Sequence, residues 1–152
     1  MRKKQLSKIL ARASAAQIAD LAHPIAEQYK PVIVKEPSKT LSMIKMRDPV
    51  RQGQFFLGEV IVCDATVELA GNQGSAVLMG DDTSKVLDMA IIDAALNGGV
   101  FPDMDALYQL EAQQDEVIAR ENALHLDTLV NFESMDAAPV EDLGSFASKG
   151  GA

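Results

Sequence analysis

Apolar and polar residues alternate along residues 61–69 of the chain. The odd positions are all apolar, and they are Ile61, Cys63, Ala65, Val67 and Leu69. The even positions are mostly polar. A period of two residues is typical of a β-strand with one face in the core and the other toward water. Gly71, Asn72 and Gly74 come next and predict a hairpin turn, because glycine and asparagine both accept positive φ. Residues 75–79 should then pair back as the next strand.

Two shorter apolar stretches precede this strand. Residues 32–34 lie between Pro31 and Pro37 and are predicted as an edge strand, since proline cannot donate to a ladder of hydrogen bonds. Residues 41–46 are predicted as a second strand, with Leu41 and Met43 on one face. Together with the hairpin, the pattern predicts about four antiparallel strands.

The N-terminal residues 4–23 have apolar side chains at helical spacing, such as Leu6, Ile9 and Leu10. Ser14 and Gln17 are spaced for a capping box, so a second helix should begin there. Pro24 is expected to end or kink this helix, because proline disfavours helical backbone in the residue before it. The chain as a whole is therefore predicted to be α+β, with N-terminal helices before the sheet and two or more helices after it.

The C-terminal half contains two further helical patterns. Either Asp81 or Asp82 can cap a helix that runs on to a strong stop at Asn97, Gly98 and Gly99. A long helix should follow Asp103, and its narrow apolar stripe suits a seam with another chain better than a deep core. Residues 124–135 lack a clean period and could form an extended arm. We expect one domain over residues 1–136 and a flexible tail over residues 137–152, whose composition cannot bury enough apolar surface to order itself.

Composition excludes several classes of protein. A formal net charge of −8 argues against a nucleic-acid-binding surface, although basic residues cluster at the N-terminus between Arg2 and Arg12. A single cysteine rules out an internal disulfide and fits a reducing compartment. No apolar run approaches the roughly 18–20 residues that cross a bilayer. We therefore expect a cytoplasmic protein that binds neither nucleic acid nor membrane.

The residues with reactive side chains do not form a catalytic pattern. Cys63 lies on the inward face of its strand and is interpreted as a core residue. His23 and His125 each lack a second ligand at metal-binding spacing. The aspartates before the two C-terminal helices are explained by helix capping, and Glu59 by an exposed position near a strand end. These residues alone leave open a subunit of an assembly, an independent enzyme that uses Cys63 or Glu59, and a small scaffold or binding protein of an unrelated pathway.

The run Met46-Arg47-Asp48, followed by Phe55-x-Leu57-Gly58-Glu59-Val60, resembles the signature of the PhnG family, the G subunit of the bacterial carbon–phosphorus lyase core complex. Three further segments resemble the same family in the same order, and they are Leu6-Ser7-x-x-Leu10-Ala11-x-Ala13, Gly80-x-Asp82 with Ala90-x-Ile92-Asp93-Ala94, and Thr128-x-Val130-Asn131-Phe132-x-Ser134-Met135. Together the segments cover most of residues 5–136. The chain departs from the family at Asp81, where an arginine is usual, at Leu87, where an acidic residue is frequent, and near Asp64, where a basic residue is found.

The resemblance implies a non-catalytic subunit of a multi-subunit transferase. This enzyme places a phosphonate on carbon 1′ of the ribose of ATP and releases adenine, in phosphonate catabolism. ATP with magnesium would be the substrate of the complex, and this chain would hold no metal or cofactor of its own. The I subunit would be its most direct partner, with the H, J and L proteins also in the assembly. The predicted interface residues are Phe55, Phe56, Leu57, Glu59, Val130 and Phe132; for the two strand phenylalanines an ordinary core position is the alternative.

Overall fold

The computed structural model describes residues 2–126 and 128–129, which include four helices and three strands. The helices are α1 (Lys3–Arg12), α2 (Ala15–Tyr29), α3 (Thr83–Asn97) and α4 (Met104–Leu126), and the strands are β1 (Val32–Arg47), β2 (Gln54–Leu69) and β3 (Asn72–Met79). The chain divides within α4 into two compact units, Met1–Val117 and Ile118–Ala152. The α+β class is confirmed. The predicted domain boundary after residue 136 lies outside the described residues and stays a prediction.

The described strands form one antiparallel sheet in the order β1-β2-β3. The prediction of about four strands was wrong, because the two predicted N-terminal strands are a single strand of 16 residues. Pro37 lies inside it, where the register with β2 shifts between Lys35 and Ser38. An edge strand can accommodate proline at such an irregularity without losing its remaining hydrogen bonds.

The alternation in β2 is confirmed over most of its predicted length. Cys63, Ala65, Val67 and Leu69 are all buried, and they form the core with the small and apolar residues of β3. Ile61 carries the same pattern but is 54% exposed, so its predicted core position was wrong. The reason is its place along the strand: β3 ends opposite Val62, and Ile61 lies beyond the three-stranded part of the sheet.

The turn between β2 and β3 is shorter than predicted. Leu69 pairs with Asn72, so Ala70 and Gly71 make a two-residue turn in which both φ angles are positive. This is the backbone that matches the twist of a hairpin. Gly74 does not belong to the turn. It lies in β3 directly under α3, where an added Cβ would come within 2.3 Å of the helix backbone.

The N-terminal helices follow the capping prediction, but the second helix does not end at its proline. Ser14 and Gln17 form the predicted capping box at the start of α2. Pro24 lies within α2, which continues to Tyr29, so the helix does not end at this proline, and the alternative expectation of a kink stays a prediction. Both Pro24 and Asp20, whose carbonyl loses its partner, are exposed. Water can therefore satisfy the carbonyl that a proline leaves free.

Helix α3 is the centre of the first unit. Asp82 is its N-cap and accepts a hydrogen bond from the Lys85 N–H at 2.9 Å, and Gly98 is its C-cap, as the sequence predicted. The helix packs on the sheet and against α2, and it is buried from Met89 almost without interruption to Ala95. Within the first unit it thus supplies the shared core of the sheet and the N-terminal helices.

Helix α4 begins at an Asp103 cap, which accepts the Ala106 N–H at 3.0 Å. Leu107 is its one fully buried side chain among the described residues, in keeping with the predicted narrow stripe. The seam with another chain remains a prediction. The helix continues through Leu124 to Leu126, so the expected extended arm was wrong for these residues.

None of the helices among the described residues combines the length and apolar character that a membrane span requires.

Candidate partner-binding surface

The β1–β2 hairpin extends past the rest of the sheet. Strand β3 pairs with β2 only as far as Val62. The N-terminal part of β2, residues 54–61, pairs with β1 alone. We call residues 41–61 the hairpin arm. A two-stranded ribbon is marginally stable in water without further packing. The arm therefore depends for its order on the sheet at its base, or on a surface that covers it.

The side chains of the hairpin arm are unusually apolar for an exposed ribbon. Eight large hydrophobic residues there are 44% to 86% exposed, and they are Leu41, Met43, Met46, Val50, Phe55, Phe56, Leu57 and Ile61. Monomeric proteins rarely expose contiguous apolar patches of this kind, and such patches usually mark sites of interaction. The hairpin arm is therefore the best candidate functional surface in the described residues.

The register shows which of these side chains lie side by side. Leu41 is directly opposite Ile61, and Met46 is directly opposite Phe55, so each pair shares a face of the ribbon. The register shifts between Ile44 and Lys45. Such a bulge increases the local twist of a ribbon, so the outer part of the hairpin arm is turned relative to its base. Apolar groups are thus presented in more than one direction.

Four of the predicted interface residues lie together in the hairpin arm. Phe55, Phe56, Leu57 and Glu59 are all exposed, so the alternative of an ordinary core position for the two phenylalanines is wrong. Their role as an interface stays a prediction. Val130 and Phe132 lie outside the described residues.

Other members of the surface were not identified from the sequence. Leu41 and Met43 were predicted only to share one face of a strand, and Ile61 was predicted to face the core, whereas all three are exposed. The pairing of Leu41 with Ile61 could have been found from the hairpin register, but their exposure depends on where β3 ends. Glu59 is exposed opposite Met43, as expected, but it lies within β2 and not at a strand end.

The groups with reactive chemistry have structural positions. Cys63 is fully buried in the core, which confirms its structural interpretation. His23 and His125 are exposed and belong to different units. Within residues 2–126 and 128–129, no three potential metal ligands converge. Asp82 and Asp103 cap helices, as expected.

Two acidic residues at which the chain departs from the family pattern are neutralised by lysines of β1. Lys35 donates to Asp64, and this bond, with the charge of Lys35 and a bond from Ser38, holds the pKa of that carboxyl below its usual value against the opposing effect of burial. Lys39 Nζ lies 3.0 Å from an Asp81 carboxylate oxygen and lowers the pKa of Asp81 in the same way. Both aspartates therefore hold the base of β1 to the rest of the first unit.

A single charged residue is buried in the described core. Asp93 on α3 is 4% exposed, and its carboxylate accepts the Ser75 N–H and the Lys3 ammonium, each at 2.9 Å. A cavity of about 220 Å³ adjoins it, lined also by Leu6 and Asn97. Because Oδ2 of this carboxylate accepts from both α1 and β3, the cluster joins three elements and has a structural role.

The comparison with known families agrees with the sequence motifs. A family model described as phosphonate metabolism protein PhnG matches residues 1–136. No curated protein gives a significant match to the chain. The matched range includes the hairpin arm and every motif that carried the resemblance. The chain therefore belongs to the PhnG family of phosphonate metabolism proteins.

Proposed function

We propose that this chain is the G subunit of a carbon–phosphorus lyase complex and acts there as a non-catalytic partner. The reaction that it supports is the transfer of a phosphonate to carbon 1′ of the ribose of ATP, with release of adenine. The I subunit is its direct partner in this proposal, and the hairpin arm is the surface that binds it. The predicted cytoplasmic location and the H, J and L proteins as further partners belong to the same proposal.

The exposed apolar residues of the hairpin arm carry this proposal. Complete burial of a large hydrophobic side chain contributes about 1.5–3 kcal/mol, so covering one that is half exposed contributes about 1 kcal/mol. Eight such residues together offer about 8 kcal/mol, which exceeds the lower end of the free-energy cost of association, about 4 kcal/mol. Phenylalanine and methionine are also enriched at the centres of protein interfaces.

The positions of the polar groups favour a supporting subunit over an independent enzyme. In the part of the chain that the structure describes, Cys63 belongs to the core and Asp93 joins α1, α3 and β3. A catalytic nucleophile needs an accessible position, and the thiol of Cys63 is fully buried in the core. The chemistry of the complex is therefore assigned to its partners.

Co-expression with the candidate I subunit tests the proposal. We expect the two chains to elute together in size-exclusion chromatography. With the L protein, ATP, magnesium and methylphosphonate, adenine release should require this chain. Adenine release that is unchanged when the chain is omitted would contradict the proposal, as would turnover of ATP by the chain alone. Failure to bind the I subunit would favour a scaffold of an unrelated pathway.

Single substitutions test whether the hairpin arm is the surface concerned. Phe56→Ser should weaken co-elution with the I subunit without lowering the thermal stability of the isolated chain, because Phe56 is already exposed. Val32→Ser is the matched control. Val32 is similarly exposed, but it lies at the start of β1, outside the hairpin arm. Equal loss of binding in both variants would show that the hairpin arm has no special role.

A further inference from the structure

The outermost part of the hairpin arm has a charge opposite to that of the chain as a whole. Residues 45–54, which we call the tip, contain the three cations Lys45, Arg47 and Arg51 and the single anion Asp48. The whole chain has a formal net charge of −8. The tip is therefore a locally basic segment of an acidic chain, and it lies at the end of an apolar ribbon.

The one anion of the tip is used by the turn itself. A carboxylate oxygen of Asp48 accepts the Val50 N–H at 2.8 Å. The backbone of Asp48 also bonds to Gln52 and Gly53. These bonds fix the carboxylate in the loop, where it supports the turn conformation.

The three tip cations have no carboxylate partner among residues 2–126 and 128–129. The ion pairs found there include Lys3–Asp93, Lys35–Asp64 and Lys39–Asp81. The two lysines near the base of β1 are thus paired, whereas Lys45 and Arg47, farther along the same strand, have no carboxylate partner in the part of the chain that the structure describes. The positive charges near the base of β1 are therefore neutralised by aspartates of this chain, whereas the positive charges of the tip can interact with another molecule.

We propose that the tip binds an acidic patch on the partner protein that covers the hairpin arm, and that this contact guides the arm into place. This inference rests on the proposed function and adds to it the charge of the partner surface: an apolar groove whose far end carries carboxylates. A protein is the occupant that fits best, because the exposed apolar residues Met46, Val50 and Phe55 lie in the tip or directly beside it. Arginine, methionine and phenylalanine together are typical of interface centres.

A polyanion or an anionic membrane fits the same tip less well. Three cations neutralise few phosphates, and the net charge of −8 would repel an extended anionic polymer or surface. A carboxylate patch on a folded protein acts over a short range, because salt screens charges beyond about 8–10 Å. The three cations therefore need only a few carboxylates directly opposite them on the partner protein.

Association kinetics distinguish this contact from the apolar one. Exposed charges at an interface mainly change the rate of association and its dependence on salt. We would measure the binding of the purified chain to immobilised I subunit over a series of NaCl concentrations. The test variant is Arg47→Gln with Arg51→Gln. The matched control is Lys4→Gln with Lys8→Gln, which removes the same charge from exposed positions of α1.

We expect the tip variant to associate about tenfold more slowly at low salt and to show a flatter salt dependence. The control should behave as the wild type, and circular dichroism should confirm that both variants are folded. Unchanged association of the tip variant, with binding of the wild type intact, would overturn this inference and leave the proposed function standing. A variant that associates normally but raises the KM for ATP would also overturn it, since the tip would then contact a phosphate. Absence of wild-type binding would overturn both proposals.

Discussion

The backbone N–H of Ser75 donates a hydrogen bond to the buried carboxylate of Asp93 at 2.9 Å and so ties strand β3 to helix α3. Lys3 donates to the same carboxylate from α1. We expect Asp93→Ala to lower the free energy of unfolding by about 2–3 kcal/mol, because hydrogen bonds to a charged group are lost and the Ser75 N–H is left without a partner. Urea denaturation measures this loss.

Two further variants divide the effect of Asp93 between its partners. Asp93→Asn keeps an oxygen that can accept from Ser75, so it should cost less than the alanine variant. Lys3→Ala should cost under about 1 kcal/mol, because the lysine side chain is 60% exposed. A loss in Lys3→Ala as large as in Asp93→Ala would show that the ion pair, and not the bond to β3, carries the stability.

Gly74→Ala should destabilise the protein because α3 lies against this position. An added Cβ would come within 2.2 Å of the Ala94 nitrogen and 2.3 Å of the Ala90 carbonyl oxygen, and both are helix backbone atoms that cannot move aside alone. Overpacking of this kind costs about 1–3 kcal/mol or more. Thermal unfolding should show a clear loss. Gly58→Ala is the control, since nothing lies within 4 Å of its Cβ position; a similar loss there would contradict the explanation.

Leu107→Ala should loosen the first part of α4. Leu107 is fully buried, while the other contacts of this part of the helix include a hydrogen bond from the Gln114 side chain to the Ile9 carbonyl at 2.9 Å. We expect a loss of about 2–5 kcal/mol, as for other buried leucines. Hydrogen exchange should increase over residues 104–117. Tyr108→Ala, at an exposed neighbouring position, should leave this protection in place.

Two aspartates should affect the pH dependence of stability with opposite sign. Burial raises the pKa of Asp88 above its usual value; Asp82 adds to this and His23 opposes it. The folded state then holds the Asp88 proton more tightly than the unfolded state, so the ionised carboxyl lowers stability at neutral pH. Asp88→Asn should therefore be more stable than the wild type at pH 7, and the difference should vanish below about pH 4.

Asp64→Asn should give the opposite result. The pKa of Asp64 is lowered, chiefly by its bond to Lys35, so its contribution is present above the unfolded-state pKa of about 3.9 and is lost as the pH falls through the lower folded-state pKa. The variant should be less stable than the wild type at pH 7 and approach it in acid. Denaturation curves at several pH values check both variants, and the same sign for both would contradict these assignments.

The sequence correctly predicted features that depend only on residues close together in the chain. The capping box of Ser14 and Gln17, and the Asp82 cap, depend only on neighbouring residues, and both are present. The alternation in β2 correctly assigned Cys63 and Val67 to the core, because helix α3 covers that part of the sheet.

The predictions failed where the outcome depended on distant elements. Ile61 has the same alternation as Val67, but alternation only says which residues share a face and not whether anything covers it. Pro37 indicates a break, yet an edge strand tolerates it at a register shift. Apolar composition alone also left a core position open for Phe55, because exposed and buried strands can contain the same residues.

The exposed hydrophobic residues of the hairpin arm also bear on how a cell must produce this polypeptide. Under the proposed function, copies made in excess of the partner subunit would aggregate or be degraded by proteases. Synthesis of the two polypeptides in equal amounts, for example from one shared messenger RNA, would keep the hairpin arm covered and prevent this aggregation.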